Sequence, residues 1–317
     1  MTLGISLLTF GIAVACLVLA AKFFTSSAED VGFRLGMSPF AIGVVIVSVG
    51  TSLPELVSAI AAVRAGDSEI VAGNVIGSSL SNILFVLGLT ALLSPKRIDL
   101  GAQYIYIDLN YLAGAALIVV IAMYDGVVHQ AEAIIGLLAY GVYLYYLLKT
   151  GDVHVEVASE GKAIRRSKAS WVRPLLILVV SGIAIYLSAT KTIQSLSEIA
   201  ATLGVSKAII SITLLSMGTT LPECVVSVTA ARVGKAEIAV GNVLGSCIFN
   251  ALAVPGIAAC FGSLTVPTEL IVFALPVYAA TVLFFYLLTQ DKKISAFEGA
   301  LLLLIYGLVI CKICGLV

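Results

Sequence analysis

Charged residues are scarce in this sequence, and their scarcity excludes an ordinary soluble domain. The 18 Lys and Arg residues and the 18 Asp and Glu residues make up 11% of the 317-residue chain, whereas soluble domains carry about 25%. The formal net charge is zero, which gives no indication of a nucleic-acid partner. Hydrophobic residues make up 60% of the chain, and the mean hydropathy is +1.12. This composition predicts an integral membrane protein embedded in a lipid bilayer.

Histidine is almost absent, and the six cysteines show no convincing ligand pattern. The two histidines, His129 and His154, fall near predicted loops. Cys311 and Cys314 have the spacing of a redox or metal pair, but no second pair or nearby histidine accompanies them, so we interpret all six cysteines as reduced apolar residues. A nucleophilic serine needs a neighbouring base, and neither histidine nor lysine lies near Ser52. The sequence therefore disfavours an intramembrane enzyme and predicts no cofactor.

Apolar runs account for most of the chain. Each run is close to or above the ~20 residues that cross a bilayer as a helix, and none alternates as a barrel strand does. The runs lie at roughly 3–24, 38–63, 69–93, 104–124, 129–148, 174–190, 208–231, 237–262, 268–289 and 295–316. We therefore predict an all-α membrane protein with ten transmembrane helices.

The basic residues predict how these spans are oriented. With the N-terminus outside, fourteen of the 18 Lys and Arg residues fall in inner loops and four on the outer side. Because cytoplasmic loops carry an excess of Lys and Arg, we expect a multi-pass protein with both termini outside. The polar segment 149–173 then forms a cytoplasmic linker between two five-helix halves, 1–148 and 174–317.

The chain also contains an internal repeat. Residues 48–82 (SVGTSLPELVSAIAAVRAGDSEIVAGNVIGSSLSN) and 216–250 (SMGTTLPECVVSVTAARVGKAEIAVGNVLGSCIFN) align without a gap and share 18 of 35 positions. The copies begin in predicted spans 2 and 7, so an odd number of crossings separates them and they run in opposite directions. Inverted repeats with interrupted helices indicate a secondary transporter whose site lies near the membrane midplane.

Each copy places a carboxylate inside an apolar span. A charged side chain near the bilayer centre costs about 2.5–3.5 kcal/mol on insertion scales, so Glu55 and Glu223 are expected to face a polar interior and meet a cation. A structural, hydrogen-bonded acid is the alternative for a single residue. Duplication of the acid at equivalent positions favours a cation site.

Prolines and glycines surround these acids. Pro54 and Pro222 each remove a backbone donor, so we expect the helices to be interrupted there and to present the carbonyls of Gly50 and Gly218. Glycines allow the two spans of one repeat to approach closely. They stand in the motifs GNVIGS and GNVLGS, at Gly73, Gly77, Gly241 and Gly245.

Neutral oxygen ligands repeat at helical spacing around each acid. Such residues, spaced by three or four, share one face of a helix. They are Ser48, Thr51 and Ser52 with Ser78 and Asn82 in the first copy, and Ser216, Thr219 and Thr220 with Ser246 and Asn250 in the second. Helix–helix hydrogen bonding is the ordinary use of one such hydroxyl, but clustering around an acid favours ligation. Oxygen ligands suit Ca²⁺, Na⁺, Mg²⁺ or Mn²⁺, and two carboxylates neutralise one Ca²⁺.

These blocks, GTSLPE…GNVIGSSLSN and GTTLPE…GNVLGSCIFN, resemble the cation/calcium exchanger superfamily and most closely its prokaryotic-type sodium/calcium exchangers. The resemblance implies an antiporter that exchanges Ca²⁺ for Na⁺ by alternating access and that works as a monomer in a prokaryotic inner membrane. It implies a cage in which Ser48 and Ser216 contribute backbone carbonyls for sodium. The other implied ligands are Thr51, Ser52, Glu55, Ser78, Asn82, Thr219, Thr220, Glu223 and Ser246.

Two features distinguish this chain within that superfamily. Asn250 stands where many sodium/calcium exchangers have an aspartate, which leaves the stoichiometry, proton linkage and potassium dependence open. Proton-driven members usually carry an acid at the positions of Gly77 and Gly245, so sodium coupling is favoured. Proton-coupled exchange of Ca²⁺, or of another divalent cation, is the alternative. A cation channel is disfavoured, because channels usually build rings from repeated subunits.

Overall fold

The computed structural model describes residues 3–100, 108–150, 171–203 and 207–313; most of the predicted linker 149–173 therefore lies outside the described residues. The first half contains α1 (Leu3–Arg34), α2 (Pro39–Ile42), α3 (Ser48–Ala65), α4 (Glu69–Leu80), α5 (Leu87–Leu93), α6 (Asp108–Met123) and α7 (Gln130–Thr150). The second half contains α8 (Val172–Thr202), α9 (Lys207–Arg232), α10 (Ala236–Ile248), α11 (Val254–Ala258), α12 (Leu275–Leu288) and α13 (Ala296–Ile313).

Four wider, π-helical turns join or precede these helices. The turn π1 connects α2 to α3, π2 connects α4 to α5, π3 connects α10 to α11, and π4 leads into α12. Their bounds are Gly43–Val47, Ser81–Val86, Phe249–Ala253 and Leu270–Ala274. A short 3₁₀ turn at Ala259–Phe261 follows α11.

The helical architecture of a membrane protein is confirmed. Within the described part of the chain, eight helical stretches are long and apolar enough to cross a membrane: Leu3–Arg34, Pro39–Ala65, Glu69–Leu93, Gln130–Lys149, Val172–Ile199, Ala236–Phe261, Leu270–Leu288 and Ala296–Ile313. The two remaining predicted runs, 104–124 and 208–231, overlap α6 and α9. The helix α6 is a shorter apolar helix of 16 residues.

Two helices continue well beyond the apolar runs that predicted them. The run 3–24 lies in the 32-residue α1, and the run 174–190 lies in the 31-residue α8. The added part of α8, residues 191–202, contains neither glycine nor proline, so nothing in it stops a helix. The two helices pack along each other, and Ser6 Oγ of α1 donates a hydrogen bond of 2.8 Å to Glu198 Oε2 of α8.

Two small antiparallel sheets connect loops of the two halves and were not predicted. In one, β1 (Ile98–Asp99) pairs with β4 (Lys293–Ile294), with Ile98 opposite Ile294. In the other, β2 (Val127–Val128) pairs with β3 (Leu264–Thr265). Each strand has only two residues, too short for a periodic sequence pattern to reveal it.

The most buried part of the molecule is the pair of stretches that carry the two glycine motifs. In its most apolar 18-residue window, Ala236–Phe261 is 89% buried and Glu69–Leu93 is 78% buried, whereas Leu3–Arg34 is 22% buried. Small residues allow helices to pack closely inside a membrane. The repeated blocks therefore lie at the centre of the helical packing, with α1 and α8 outside it.

Candidate functional site

The two repeats meet at Ser52. Its hydroxyl lies 3.0 Å from Glu223 Oε1 and 3.0 Å from Ser246 Oγ, and it can donate its proton to either. All three side chains are fully buried. These two contacts join residues that are separated by 171 and 194 positions in the chain, so the blocks predicted from the sequence converge in space.

Glu55 lies one helical turn beyond Ser52 on the same face of α3. It is fully buried, one turn from the serine whose hydroxyl contacts Glu223. Both predicted acids therefore share one polar interior. Two negative charges close together in a buried site repel each other, and a cation between them would remove that repulsion.

A second contact between the repeats involves the amides. Asn250 Nδ2 donates a hydrogen bond of 3.2 Å to Ser78 Oγ. Both residues are buried, as is Asn82. Asn82 and Asn250 occupy equivalent positions of the two blocks, inside the π-helical turns π2 and π3.

Several oxygens of this cluster lack a hydrogen-bond donor among the described residues. They are both carboxylate oxygens of Glu55, Oε2 of Glu223, and the side-chain carbonyl oxygens of Asn82 and Asn250; Asn82 Nδ2 also lacks an acceptor there. A buried polar group without a partner costs about 1–3 kcal/mol. Five such oxygens, supplied by both repeats, match the ligand preference of a hard cation.

The ligand set is weakly charged for a metal centre. Among the described residues, no three His, Cys, Asp or Glu side chains come together in a group that could hold a metal ion. Two carboxylates, two amide oxygens and nearby hydroxyls thus fit Na⁺ or Ca²⁺ better than a thiolate- or imidazole-seeking metal.

The hydroxyls at the start of α3 have local partners. Ser48 Oγ donates to the backbone carbonyl of Val44, and Thr51 Oγ1 lies 3.2 Å from the carbonyl of Ser48 and 3.2 Å from Asn242 Oδ1. The Ser48 hydroxyl is therefore engaged within its own helix. The backbone carbonyl that the resemblance assigns to sodium has the Thr51 hydroxyl within reach.

At the corresponding positions of the second repeat, the structure describes the side chains of two of the three residues. Thr220 is fully buried and takes part in a polar or electrostatic interaction, and Thr219 is partly buried. Ser216 lies in α9, but its side chain is outside the described residues. Its role therefore remains a prediction.

The expected interruption at the prolines is wrong in its position. Pro54 lies inside the continuous helix α3 and Pro222 inside α9. A continuous membrane helix tolerates the hydrogen bond lost at a proline where neighbouring groups satisfy the freed backbone. The irregular backbone occurs instead at the ends of the blocks: the π-helical turn π1 precedes the first block, and π2 and π3 begin within the last two residues of the first and second blocks.

The glycines do allow a close helix approach, but it joins the two halves of the chain rather than the two spans of one repeat, as was predicted. A Cβ atom on Gly241 would lie 2.4 Å from the Phe40 carbonyl, and one on Gly245 would lie 2.6 Å from the Val44 carbonyl. Here α10 crosses α2 and π1 with backbones in contact. A Cβ on Gly73 would make one ordinary contact of 3.8 Å with Leu270, and one on Gly77 would meet no described atom within 4 Å.

One polar residue of the cluster was missed from the sequence. Asn242 is fully buried and hydrogen-bonds to Thr51, Ser227 and the backbone of Glu223. The signal was present, because the Asn of GNVLGS recurs as Asn74 of GNVIGS at an identical repeat position. Asn242 also lies four residues before Ser246, which places both on the same face of the helix, so the spacing pointed to it as well.

The chain is similar to known exchangers over almost its whole length. The sodium/calcium exchanger protein family model matches residues 5–149 and 173–314. The sodium/calcium exchanger MaX1 of Methanosarcina acetivorans is 30% identical over 92% of this chain and 93% of the relative.

A structure of the sodium-calcium exchanger NCX_Mj soaked with zero Na⁺ and Ca²⁺ superimposes with a TM-score of 0.81 and 27% identity, over 96% of this chain and 98% of that one. Another, soaked with Na⁺ and Sr²⁺, gives a TM-score of 0.81 and 26% identity over 98% of each chain. This chain therefore belongs to the sodium/calcium exchanger protein family.

Proposed function

We propose that this protein is a secondary antiporter that moves Ca²⁺ across the membrane in exchange for Na⁺ at the site formed by the two repeats. The observation that carries the proposal is the set of five buried oxygens, from Glu55, Asn82, Glu223 and Asn250, without a donor among the described residues. Membership of the sodium/calcium exchanger protein family supports it. So does the full-length similarity to the exchanger MaX1.

The charge of the site accounts for competition between the two ions. Glu55 and Glu223 together supply two negative charges, which one Ca²⁺ neutralises. Na⁺ uses the same kind of oxygen ligand, so binding of Na⁺ at these carboxylates excludes Ca²⁺. Ca²⁺ accepts six to eight oxygens in flexible geometry, and the hydroxyls supplement the five unpaired oxygens.

The remaining predicted ligands have graded support. Ser52, Ser78 and Ser246 are buried and lie in the hydrogen bonds that join the two repeats. Thr51 and Thr220 are buried beside them. For Thr219, Ser48 and Ser216, the assignment follows from their repeat positions and the family resemblance.

The transport cycle we propose uses an inverted pair of five-helix halves, 1–148 and 174–317, linked by 149–173. The repeated blocks and the eight apolar helical stretches of the described residues, together with α6 and α9, support this arrangement, with the site opening to one side at a time. The fourteen-to-four distribution of basic residues supports termini outside a prokaryotic inner membrane. Cysteines introduced at Gln130 and Ser167 should react from opposite sides, outer and inner, and labelling of both from one side would contradict this topology.

The decisive experiment measures ⁴⁵Ca²⁺ uptake into proteoliposomes that contain the purified protein. An outward Na⁺ gradient should drive uptake, whereas a proton gradient of the same size without Na⁺ should not. Uptake should saturate with Ca²⁺ and require the counter-ion. Uptake driven by protons alone would support the proton-coupled alternative, and unsaturated flux without a counter-ion would indicate a channel.

The same preparation tests the size of the functional unit. We propose that one copy suffices, since both repeats of the site come from one chain. Dilution to fewer than one protein per vesicle should leave the exchange rate per active vesicle unchanged. A loss of activity that follows the square of the protein density would show that two copies are needed.

A further inference from the structure

Asn242 is the most completely hydrogen-bonded side chain beside the candidate site. It stands second in the motif GNVLGS of α10 and is fully buried. Its Oδ1 accepts from Thr51 Oγ1 at 3.2 Å. Its Nδ2 donates to Ser227 Oγ at 2.8 Å and to the backbone carbonyl of Glu223 at 3.3 Å. One amide thus connects α10 to α9 and to α3 of the other repeat.

The partners leave only one orientation for this amide. The carbonyl of Glu223 can only accept a hydrogen bond. Ser227 Oγ donates its single proton to the carbonyl of Ala239 at 3.4 Å, so it presents a lone pair to Asn242. Both neighbours therefore require the NH₂ group of Asn242, and its carbonyl oxygen must face Thr51.

This orientation gives the Thr51 hydroxyl an acceptor that is not a carboxylate of the site. A threonine hydroxyl has one proton and two lone pairs. Asn242 Oδ1 and the Ser48 carbonyl both lie 3.2 Å from Thr51 Oγ1 and can accept that proton. A proton directed at Glu223 would point into the site and oppose a cation. A proton donated to Asn242 or to the Ser48 carbonyl leaves the oxygen lone pairs available to a cation beside Glu223.

We propose that Asn242 is a positioning residue that accepts the Thr51 proton, and so turns the Thr51 oxygen into a cation ligand, while it holds the backbone of Glu223 in place. The inference rests on the proposed exchange function. Asn242 lies outside the predicted ligand set and acts on the ions through Thr51 and Glu223. Its replacement should therefore change cation affinity although Asn242 does not contact the ion.

The other repeat provides a matched control. Asn74 is the counterpart of Asn242 at a shift of 168 residues and is only partly buried. The counterpart of Ser227 is Ala59, which is buried and has no hydroxyl. Asn74 therefore has no equivalent of the hydroxyl acceptor that orients Asn242. The two asparagines are identical in sequence position and different in surroundings.

The test compares Asn242→Ala and Asn74→Ala by equilibrium ⁴⁵Ca²⁺ binding to the purified, full-length protein. Loss of residues that orient metal ligands typically costs 10–100-fold in affinity, so Asn242→Ala should weaken Ca²⁺ binding about 10-fold and Asn74→Ala less than about 3-fold. Equal effects of the two substitutions, or unchanged affinity in Asn242→Ala, would overturn the inference.

A double-mutant cycle with Thr51→Val separates positioning from general support of the fold. If Asn242 acts through Thr51, Asn242→Ala should weaken Ca²⁺ binding much less in the Thr51→Val background than in the wild type, because the oriented hydroxyl is already gone. A general packing role would give the same loss in both backgrounds. That additive result would contradict the proposal even if Asn242→Ala reduced affinity.

Ser227→Ala is the milder variant in case Asn242→Ala does not fold. It keeps Asn242 and Thr51 but removes the acceptor that holds the amide, so Ca²⁺ affinity should fall about 2- to 5-fold, with the loss again reduced in the Thr51→Val background. Wild-type affinity in Ser227→Ala would contradict the inference.

Exchange by the unmutated protein tests the proposed function separately. If the unmutated protein exchanges Na⁺ for Ca²⁺ while the variants bind Ca²⁺ with normal affinity, the proposed function stands and only the role of Asn242 is wrong.

Discussion

The two copies of the repeated block share 18 of 35 residues, yet they differ in how they pack. In the second copy, Gly241 and Gly245 bring α10 into backbone contact with α2 and π1. In the first copy, a Cβ atom on Gly77 would meet no described atom within 4 Å. The tight crossing is therefore established for the second copy, whereas the described residues include no close partner for Gly77.

The acids show the same asymmetry. Glu223 has one oxygen bonded to Ser52, whereas both oxygens of Glu55 lack a donor among the described residues. The hydroxyl of Ser227 in the second copy is replaced by Ala59 in the first. Duplication therefore preserved both acids and allowed the polar residues packed around them to diverge.

Neutralisation of either acid should have the largest effect. Glu55→Gln and Glu223→Gln should each reduce Na⁺-driven ⁴⁵Ca²⁺ uptake by at least 100-fold, because one remaining charge cannot balance Ca²⁺ in a poorly solvated site. Glu269→Gln, at an exposed position, is the matched control and should transport normally. Near wild-type uptake in either site variant would remove that acid from the cage.

Replacement of Gly245 and of Gly77 by alanine should destabilise the protein to different degrees. Gly245→Ala places a Cβ atom 2.6 Å from the Val44 carbonyl, and such overpacking costs about 1–3 kcal/mol. We expect a lower thermal unfolding temperature in detergent and slower exchange. Gly77→Ala should have a much smaller effect on both. Equal destabilisation by the two substitutions would show that the crossings are equivalent.

The two amides test whether the ligand sets are interchangeable. Asn250→Asp adds a group that is neutral when protonated at low pH and negative at high pH. Its Ca²⁺ affinity relative to wild type should therefore rise with pH, because a third negative charge appears beside the cation. Asn82→Asp should behave in the same way if the repeats are equivalent at this position. Identical pH profiles of Ca²⁺ uptake in wild type and Asn250→Asp would remove residue 250 from the site.

The smallest expected effect concerns a position that is basic in the second copy and acidic in the first. Lys235 pairs with Glu29 of α1 and is partly exposed, whereas its repeat counterpart is Asp67. Partly exposed ion pairs contribute little, typically about 0–1 kcal/mol, and salt screens them. Lys235→Ala should change the initial uptake rate less than about 3-fold, with the difference reduced at high ionic strength. A larger, salt-independent change would mean that this contact limits the transport cycle.

Much of the site could be predicted because its chemistry is conspicuous in an apolar chain. Glu55, Glu223, Ser52 and Ser246 are polar residues at repeated positions inside spans, and the structure brings them together. The role of Asn242 could not be predicted, because it depends on which atoms of α3 and α9 reach it. Such long-range contacts carry no local sequence signal.

The backbone was predicted less accurately than the side chains. Proline rules locate a lost hydrogen bond but not its consequence, so Pro54 was expected to interrupt a helix that is in fact continuous. The π-helical turns have no distinct periodic pattern over five or six residues. The ends of α1 and α8 were missed because polar residues end an apolar run without ending a helix.

The π-helical turns that carry Asn82 and Asn250 have a consequence for protein engineering. A π turn holds about one more residue than the α turn it replaces. Deletion of a single residue from Ser81–Val86 or Phe249–Ala253 would thus convert the turn to regular α-helix without breaking the chain's hydrogen bonding. A deletion placed before the amide within the turn would move the amide by one position, which is roughly 100° around the helix axis. Homologues that lack that residue are therefore expected to present a different atom to the proposed site, although the sequence on each side of the deletion is unchanged.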